Sequence, residues 1–290
     1  MISVVQLGAI DYASGLRLQQ RLVDLRKSGQ IGDVLLLLEH SPVVTLGRNA
    51  KAGNVLLSRD ELARRGVEVY ECDRGGDVTF HGPGQLVGYP IFDLRGFSLQ
   101  PSAVNSLDSR SQAAGHRSQD GPSRKTLGAV DYVRRLEEVL ICTCADFRIS
   151  TKRIPGMTGV WTETHSVSTT REMTASSPES KIAALGVHIS RGVTSHGFAL
   201  NVNTDLNYFD LIVPCGITAK SVTSMQKELQ REIALNDVSE SVVRNFGAVF
   251  ASQMLWVETM DAVLGNTVGV PLKVPAEFRH VRGEDDQFLA

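Results

Sequence analysis

The sequence predicts an α+β fold with a mixed, largely antiparallel sheet. Short apolar runs that suit buried strands and longer segments with apolar residues at helical spacing follow one another without a regular β-α-β alternation. The chain has 290 residues, of which 42% are hydrophobic and 21% charged, as is usual for a globular protein. We predict a single catalytic domain over residues 1–260 and a C-terminal extension, partly disordered, over residues 261–290.

The first 70 residues alternate helices and strands. Apolar residues recur at helical spacing over residues 11–27. Ser58 and Glu61 have the spacing of a capping box, which predicts a helix at residues 58–65. Short apolar runs predict strands at residues 34–38, 43–45 and 67–70.

The rest of the chain repeats this mixture around two polar insertions. The first, residues 100–125, is rich in Ser, Gln, Asp, Arg and Gly and is predicted to be disordered. The second covers residues 162–180. Between and beyond them the patterns predict helices at residues 130–144 and 239–256 and strands at residues 160–161, 182–189 and 198–202.

Composition and spacing exclude several classes of protein. The net charge of −2 argues against a nucleic-acid binder with a broad basic surface. No apolar run is long enough for a membrane helix, and the N-terminal residues lack a basic signal-peptide region. The four cysteines lack zinc-ligand spacing and suit single thiols in a reducing compartment. We therefore expect a cytoplasmic protein with no metal, no nucleic-acid partner and no membrane partner.

Residues 74–93, RGGDVTFHGPGQLVGYPIFD, form the most unusual segment. They hold five glycines, two prolines and one histidine beside apolar strand residues. Glycines let a ligand approach the backbone, whose N–H groups can hold an anion or a developing oxyanion. The glycine order matches no nucleotide-binding motif. Taken alone, the segment is better explained as tight turns between strands.

Cys215 is the candidate nucleophile. It lies between Pro214 and Gly216, at the predicted end of a strand. A thiolate is reactive at neutral pH when a cation lies close, and Lys181 opens the apolar strand KIAALGVHI. Each residue also has a structural explanation: a free cysteine is often a buried thiol, and a lysine at a strand edge is often solvated. Buried structural thiols are predicted for Cys72, Cys142 and Cys144, and structural roles are open to His81, His188 and His196.

Several long blocks resemble the lipoyl(octanoyl) transferase family. They are EHSPVVTLGRNA, RGGDVTFHGPGQLVGYPIFDL, KIAALGVHISRGVTSHGFALNVNTDL and IVPCGI, in that order. The resemblance covers about residues 34–224, apart from the two insertions. It implies the catalytic fold shared by lipoate ligases and biotin protein ligases. Phe80 departs from the family pattern, which often has tyrosine at this position.

The resemblance also assigns roles to residues. It implies that Cys215 carries the acyl group and that Lys181 tunes this cysteine. It implies that the glycine-rich segment forms a wall of the acyl site, rather than only tight turns between strands. The implied substrate-binding residues are Arg74, Gly75, Gly76, Asp77, Val78, Thr79, Phe80, His81, Ala184, Leu185, Gly186, Gly197, Phe198 and Ala199.

The implied reaction is octanoyl transfer, the first step of endogenous protein lipoylation. The donor is octanoyl-acyl carrier protein, and the acceptors are lysines on the lipoyl domains of 2-oxo-acid dehydrogenases and on the glycine cleavage H protein. An acyl thioester is already activated, so no ATP or other cofactor is expected. The alternatives are a lipoate–protein ligase, a lipoyl amidotransferase and a non-enzymatic carrier-binding module.

Overall fold

A computed structural model describes residues 1–97, 126–163, 179–213 and 221–265. The strands in these ranges are β1 (Ile2–Ile10), β2 (Asp33–His40), β3 (Val43–Leu46), β4 (Glu68–Glu71), β5 (Val78–His81), β6 (Gln85–Ile91), β7 (Thr151–Ile154), β8 (Met157–Thr162), β9 (Ser180–Ser190), β10 (Val193–Asn201), β11 (Ser221–Val222) and β12 (Met254–Trp256). The helices are α1 (Tyr12–Lys27), α2 (Arg59–Arg64), α3 (Ala129–Asp146), α4 (Met225–Leu229), α5 (Leu235–Val249) and α6 (Met260–Gly265).

The strands form two sheets. Across the described ranges, the large sheet has the order β12-β1-β2-β6-β10-β9-β8-β7, with β11 pairing beside β9. The small sheet has the order β4-β3-β5. In the large sheet β1 runs parallel to both of its neighbours, whereas the strands from β2 through β6, β10, β9 and β8 to β7 pair in antiparallel fashion. The predicted α+β class with a mixed, largely antiparallel sheet is confirmed.

Both faces of the large sheet are covered by helices. Leu35 and Leu37 of β2 point into the core beneath α3 and α5, while Leu36 and Leu38 point into the core beneath α1. Successive strand residues alternate between faces, so a strand covered on both sides must be apolar throughout. This explains the unbroken run VLLLL in the sequence.

Side-chain caps begin both α1 and α2. The Asp11 side chain accepts a hydrogen bond of 2.8 Å from the Ser14 N–H and caps α1, which was not predicted. Ser58 and Glu61 form both bonds of a capping box at α2. The predicted capping box is confirmed because it is a local arrangement that depends on residues three apart.

The predicted helix at residues 239–256 is wrong at its C-terminal end. The helix α5 ends at Val249, and Ala251 adopts a left-handed φ of +49°. The chain then turns so that Met254 pairs with Ile2 in parallel fashion, which makes residues 254–256 a strand. Tertiary pairing with β1 overrides the apolar periodicity here. The strands β1 and β7 were not predicted.

The two predicted polar insertions fall almost entirely outside the described ranges. The end residues of the second, Thr162 and Ser180, lie on β8 and β9. The whole predicted insertion at residues 100–125 lies outside the described residues, as do residues 164–178 and 266–290. In the ranges that are described, no helix is long and apolar enough to cross a membrane.

Candidate active site

The glycine loop, residues 72–77 between β4 and β5, packs against β9 of the large sheet. The Gly75 N–H donates a hydrogen bond of 3.0 Å to the Val187 carbonyl. A Cβ at Gly186 would lie 2.8 Å from the Gly75 carbonyl oxygen, so the approach requires glycine at position 186. The predicted segments 74–81 and 184–186 are therefore brought together, and we name the place where they meet the site cleft.

Arg74 fastens the glycine loop to the small sheet. Its buried guanidinium donates from Nε and Nη2 to the Thr45 hydroxyl and from Nη2 to the Thr45 carbonyl, over 2.7–3.1 Å. Nη1 donates to the Gly75 carbonyl at 3.1 Å. A guanidinium carries five N–H donors. These four bonds hold the arginine rigidly and leave one N–H at Nη1 without an acceptor among the described residues.

Asp77 connects the glycine loop to the segment that leads towards Cys215. Its carboxylate accepts hydrogen bonds from the Lys51 N–H and from the Asn54 side-chain amide. The Asn54 carbonyl in turn accepts a bond of 2.8 Å from the Val213 N–H. The backbone two residues before Cys215 is therefore tied to the glycine loop through a 3₁₀ turn at Ala52–Asn54.

Lys181 lies at the other end of the same segment. Val222 of β11 pairs with Lys181 in parallel fashion, and the Thr223 N–H donates to the Lys181 carbonyl at 2.9 Å. Cys215 itself lies outside the described residues. The described residues that border it on each side are thus anchored at predicted site residues, and the pairing of Cys215 with Lys181 stays a prediction.

The Lys181 side chain is enclosed rather than solvated. It is only 8% exposed, and its Nζ lies 4.8 Å from the centroid of the Trp161 ring. A Cβ at Gly159 would lie 3.0 Å from the lysine Cε. The ring and the glycine backbone together hold the ammonium group at one place, with a cation–π contact on one side.

A buried cluster of aromatic and histidine rings lies beside the glycine loop. The Tyr12 ring stacks on His81 with centroids 6.4 Å apart and meets the edge of His40 at 5.2 Å. Tyr89 contacts His40 on the far side, at 5.8 Å. Of this cluster, only His81 was predicted from the sequence. The others come from α1, β2 and β6, so no local motif joins them.

Hydrogen bonding fixes the tautomers of His40 and His81, the two histidines of this cluster. His40 Nδ1 lies 3.1 Å from the Ile10 carbonyl, which can only accept, so Nδ1 carries the proton and Nε2 accepts from the Tyr89 hydroxyl. His81 Nδ1 donates to the Gln85 Oε1 at 2.8 Å. Burial lowers the pKa of His40 to about 4 and that of His81 to about 3, so both rings are neutral at pH 7.

Asp73 joins two further histidines at the rim of the cleft. Its carboxylate accepts a hydrogen bond of 2.7 Å from His196 Nε2 and lies 3.5 Å from His188 Nε2. Burial raises the pKa of Asp73, but the hydrogen bond from His196, the charges of His196 and His188 and a backbone hydrogen bond together hold the pKa below its usual value. His196 has a left-handed φ of +55°, which is uncommon outside glycine and frequent at functional sites.

Several predicted substrate-binding side chains lie in the packed cores. Phe80 stacks on Tyr208 with centroids 4.6 Å apart, within the small-sheet core that also contains Val78. Phe198 lies in the core beneath α3 and α5, and Ala199 in the core beneath α1. Among the remaining predicted residues, Thr79 lies on β5, Ala184 and Leu185 lie on β9, and Gly197 lies on β10.

The three described cysteines differ in burial. Cys144 is buried as predicted, whereas Cys72 and Cys142 are only half-buried, contrary to the prediction. Burial raises the pKa of the Cys144 thiol to about 12, and burial together with Glu138 raises that of Cys142. The Cys72 sulfur lies 3.5 Å from the Leu46 carbonyl. Cys142 and Cys144 therefore lack the thiolate that a nucleophile needs.

Comparisons with known proteins agree on one family. The family described as the lipoyl protein ligase A/B catalytic domain matches residues 11–108 and 121–247. An octanoyltransferase from Koribacter versatilis is 52% identical over 289 residues, which is 100% of each chain. The chain belongs to the octanoyltransferase family. A second octanoyltransferase, from Acidobacterium capsulatum, is 53% identical and covers 91% of this chain and 96% of its own.

The fold of this octanoyltransferase family member is that of lipoate ligases. A bi-partite lipoate protein ligase from Thermoplasma acidophilum superposes with a TM-score of 0.59 at 14% identity, covering 92% of this chain and 91% of the other. A lipoate-protein ligase A bound with ATP gives the same TM-score at 12% identity, with 98% and 93% covered. The predicted fold and the prediction of an acyltransferase are confirmed.

Proposed function

We propose that this octanoyltransferase family member moves an octanoyl group from octanoyl-acyl carrier protein to a lysine of a lipoyl domain, through a thioester on Cys215, in the cytoplasm. The acceptors would be lipoyl domains of 2-oxo-acid dehydrogenases and the glycine cleavage H protein. The observation that carries the proposal is the anchoring of the Cys215 segment. Val213 is tied to the glycine loop through Asn54, and Val222 is paired with Lys181.

The reaction has two acyl transfers. In the first, the Cys215 thiolate attacks the thioester carbonyl, a new C–S bond forms, and the carrier sulfur leaves and takes a proton. In the second, the neutral acceptor amine attacks the acyl-Cys215 carbonyl, the C–S bond breaks and the amide forms. The amine loses one proton, and Cys215 returns to the thiolate. Lys181 favours the thiolate by its charge and exchanges these protons.

Both transfers pass through a tetrahedral oxyanion, which two backbone N–H groups are suited to bind. The Gly76 N–H has no acceptor within the described residues. Leu185 and Val187 are alternate residues of β9, so their N–H and C=O groups point to the same edge. The Val187 carbonyl faces Gly75, and the Leu185 N–H therefore points to the same side of the cleft.

Substrate selection follows from the remaining groups of the cleft. The free N–H of Arg74 Nη1 and the lone pair at His81 Nε2 offer one donor and one acceptor for the polar end of the substrate. Burying each methylene of the acyl chain contributes about 0.8 kcal/mol, which favours a chain that fills its slot. The lipoyl-domain acceptor is supported by the T. acidophilum fold relative, a ligase described together with its E2 lipoyl domain.

Intact-protein mass spectrometry after incubation with octanoyl-acyl carrier protein tests the proposal. We expect the mass of one octanoyl group on the wild-type chain, removed by hydroxylamine and by added lipoyl domain. Cys215→Ala should gain nothing and transfer nothing. The matched control Cys72→Ala, which replaces the thiol at the start of the glycine loop, should be acylated like the wild type. Full transfer by Cys215→Ala would disprove the thioester mechanism.

The alternatives predict different donors. A lipoate–protein ligase would form acyl-AMP from free lipoate and ATP, and a lipoyl amidotransferase would take its group from an already modified protein. A carrier-binding module without catalysis would leave Cys215 unmodified. Assays with each donor, followed by the same mass measurement, separate these outcomes from octanoyl transfer.

A further inference from the structure

A carboxylate is buried on the apolar face of α3. The Glu137 side chain has no solvent-exposed area, and its neighbours on that face include Leu136 and Leu140. Removing a charge from water is costly unless partners replace the lost hydration. A glutamate at such a position therefore needs an explanation in terms of its contacts.

Glu137 joins three elements through its two oxygens. Oε2 accepts hydrogen bonds from Arg134 at 2.6 Å and from Arg153 Nε at 3.1 Å. Oε1 accepts a bond of 3.1 Å from the Gly159 N–H. The arginines are 46% and 33% exposed, so water can solvate them without help from Glu137. The Gly159 N–H is buried, and Glu137 Oε1 accepts its hydrogen bond.

Gly159 holds a conformation that matters for Lys181. Its φ of +136° is outside the range that side-chain-bearing residues adopt readily. A Cβ at this position would lie 2.9 Å from the Ala183 carbonyl, 3.0 Å from Lys181 Cε and 3.5 Å from Nζ. The lysine side chain occupies the space that the missing Cβ leaves open. The register of β8 against β9 also shifts here, between Val160 and Trp161.

We propose that Glu137 and Gly159 are positioning residues for Lys181. Glu137 fixes the peptide of Gly159, and Gly159 with the Trp161 ring fixes the lysine ammonium at one distance from its target. This inference rests on the proposed function, because it assumes that Lys181 takes part in transfer. Neither residue touches the reacting atoms. Their effect is on the place of the ammonium group, and misplacing a catalytic group by about 1 Å costs on the order of 100-fold in rate.

The test compares Glu137→Gln and Gly159→Ala with Glu138→Gln as a matched control. Glu138 also pairs with Arg153, at 2.6 Å, but makes no bond to Gly159. Glu137→Gln keeps the shape of the side chain and loses its charge. Gly159→Ala leaves the carboxylate and both arginines intact. All variants also carry Trp256→Phe, so that Trp161 is the single fluorescent tryptophan of the two in the chain.

Two readouts separate positioning from a structural role. A charge 4.8 Å from the indole ring shifts its emission, so Trp161 fluorescence reports where the ammonium lies. We expect Lys181→Met, Glu137→Gln and Gly159→Ala to shift this emission in the same direction, and Glu138→Gln to leave it unchanged. For both positioning variants kcat should fall about 10- to 100-fold, while KM for the octanoyl carrier stays within about threefold.

The inference fails if Glu137→Gln and Gly159→Ala keep the wild-type emission and kcat while Lys181→Met changes the emission. It also fails if Glu138→Gln loses as much kcat as Glu137→Gln. If either Glu137→Gln or Gly159→Ala loses its cooperative thermal transition, the kcat and emission of the other variant decide whether the inference holds. Failure of the proposed function is recognised separately: Lys181→Met would then transfer octanoyl groups at the wild-type rate, while its emission shift remained.

Discussion

At the scale of single residues, the site separates charged from neutral groups by burial and hydrogen bonding. Lys181 is held against Trp161, whereas the neighbouring histidines His40 and His81 are kept neutral. A neutral ring can accept a hydrogen bond without repelling a cation. Because His40 and His81 are neutral, the proposed mechanism depends on the positive charge of Lys181.

Lys181→Arg should separate the two proposed tasks of this lysine. Arginine keeps the charge but does not release its proton at working pH. We expect acyl-Cys215 formation to retain a part of its rate, reduced because Gly159 and Trp161 leave little space for the larger head. Aminolysis should fall much further.

Single-turnover assays that follow the appearance and decay of acyl-Cys215 measure the two steps. Lys181→Ala is the control and should lose both. Equal slowing of both steps by Lys181→Arg, with normal iodoacetamide labelling of Cys215, would contradict the division of tasks.

The buried histidines predict an acid-sensitive fold. An unfolded histidine takes a proton near pH 6.5, but His40 and His81 resist protonation in the folded chain down to about pH 4 and about pH 3. The unfolded state therefore binds more protons as pH falls below 6.5, and the free energy of unfolding falls through that window. His81→Gln should reduce the slope by up to about 1.4 kcal/mol per pH unit.

Urea unfolding between pH 7 and pH 4.5 measures this slope. His188→Gln, at the half-buried rim, is the control for removing a histidine. A wild-type slope that is unchanged in His81→Gln would show that this ring does not carry the effect.

Residue roles were predictable only where a motif was continuous. The glycine loop and Lys181 stand in long blocks, and the loop packs against β9, the strand on which Lys181 lies. Tyr12, His40 and Tyr89 were missed because each is an isolated ring on a separate element, and only the fold brings them together. The half-burial of Cys72 could likewise not be predicted from the sequence, because the exposure of a thiol depends on packing between the two sheets.

At the scale of elements, local signals succeeded and long-range pairing failed. The cap of α2 and the buried strand β2 followed from neighbouring residues. The strand β12 did not, because Met254–Trp256 continues an apolar pattern that suits a helix until β1 is available as a partner. Helix α5 was predicted for the right reason: Val242, Val243 and Phe246 form one buried face.

Phe246→Ala should be among the costliest substitutions in α5. The ring is fully buried and packs against Phe92, Phe198 and Phe250 with centroids 5.4–6.1 Å apart. We expect a loss of about 3–5 kcal/mol in the free energy of unfolding, measured by urea denaturation.

Val130→Ala on α3 is the control for that substitution. Its side chain is 72% exposed, so the change should stay within about 0.5 kcal/mol. A small loss for Phe246→Ala would show that the core beneath α3 and α5 repacks around the cavity.

At the scale of the whole molecule, the site depends on the small sheet staying attached to the large one. The hydrogen bond from the Gly75 N–H to the Val187 carbonyl of β9 and the bond from His196 of β10 to Asp73 tie the glycine loop to the large sheet. Each is a hydrogen-bonded contact between parts distant in sequence. We therefore expect the two sheets to unfold together, in agreement with the predicted single domain over residues 1–260.

A tryptophan at position 208 tests this expectation. Tyr208→Trp places a probe against Phe80 in the small-sheet core, with both natural tryptophans replaced by phenylalanine. Its fluorescence transition in urea should coincide with the far-ultraviolet circular dichroism of the whole chain, as cooperative unfolding requires. An earlier fluorescence transition would show that the small sheet is a separate folding unit.

The place of β1 in the large sheet has a consequence for how the protein is made. Ile2 pairs with Met254, so the partner on one side of β1 is synthesised about 250 residues later. At about 5–20 residues per second, this strand waits on the order of 10–50 s on the ribosome with one open edge. An open edge that carries apolar side chains is a template for pairing with other nascent chains. Slow translation or a shortage of chaperones should therefore lower the soluble yield without altering the activity of the molecules that finish folding.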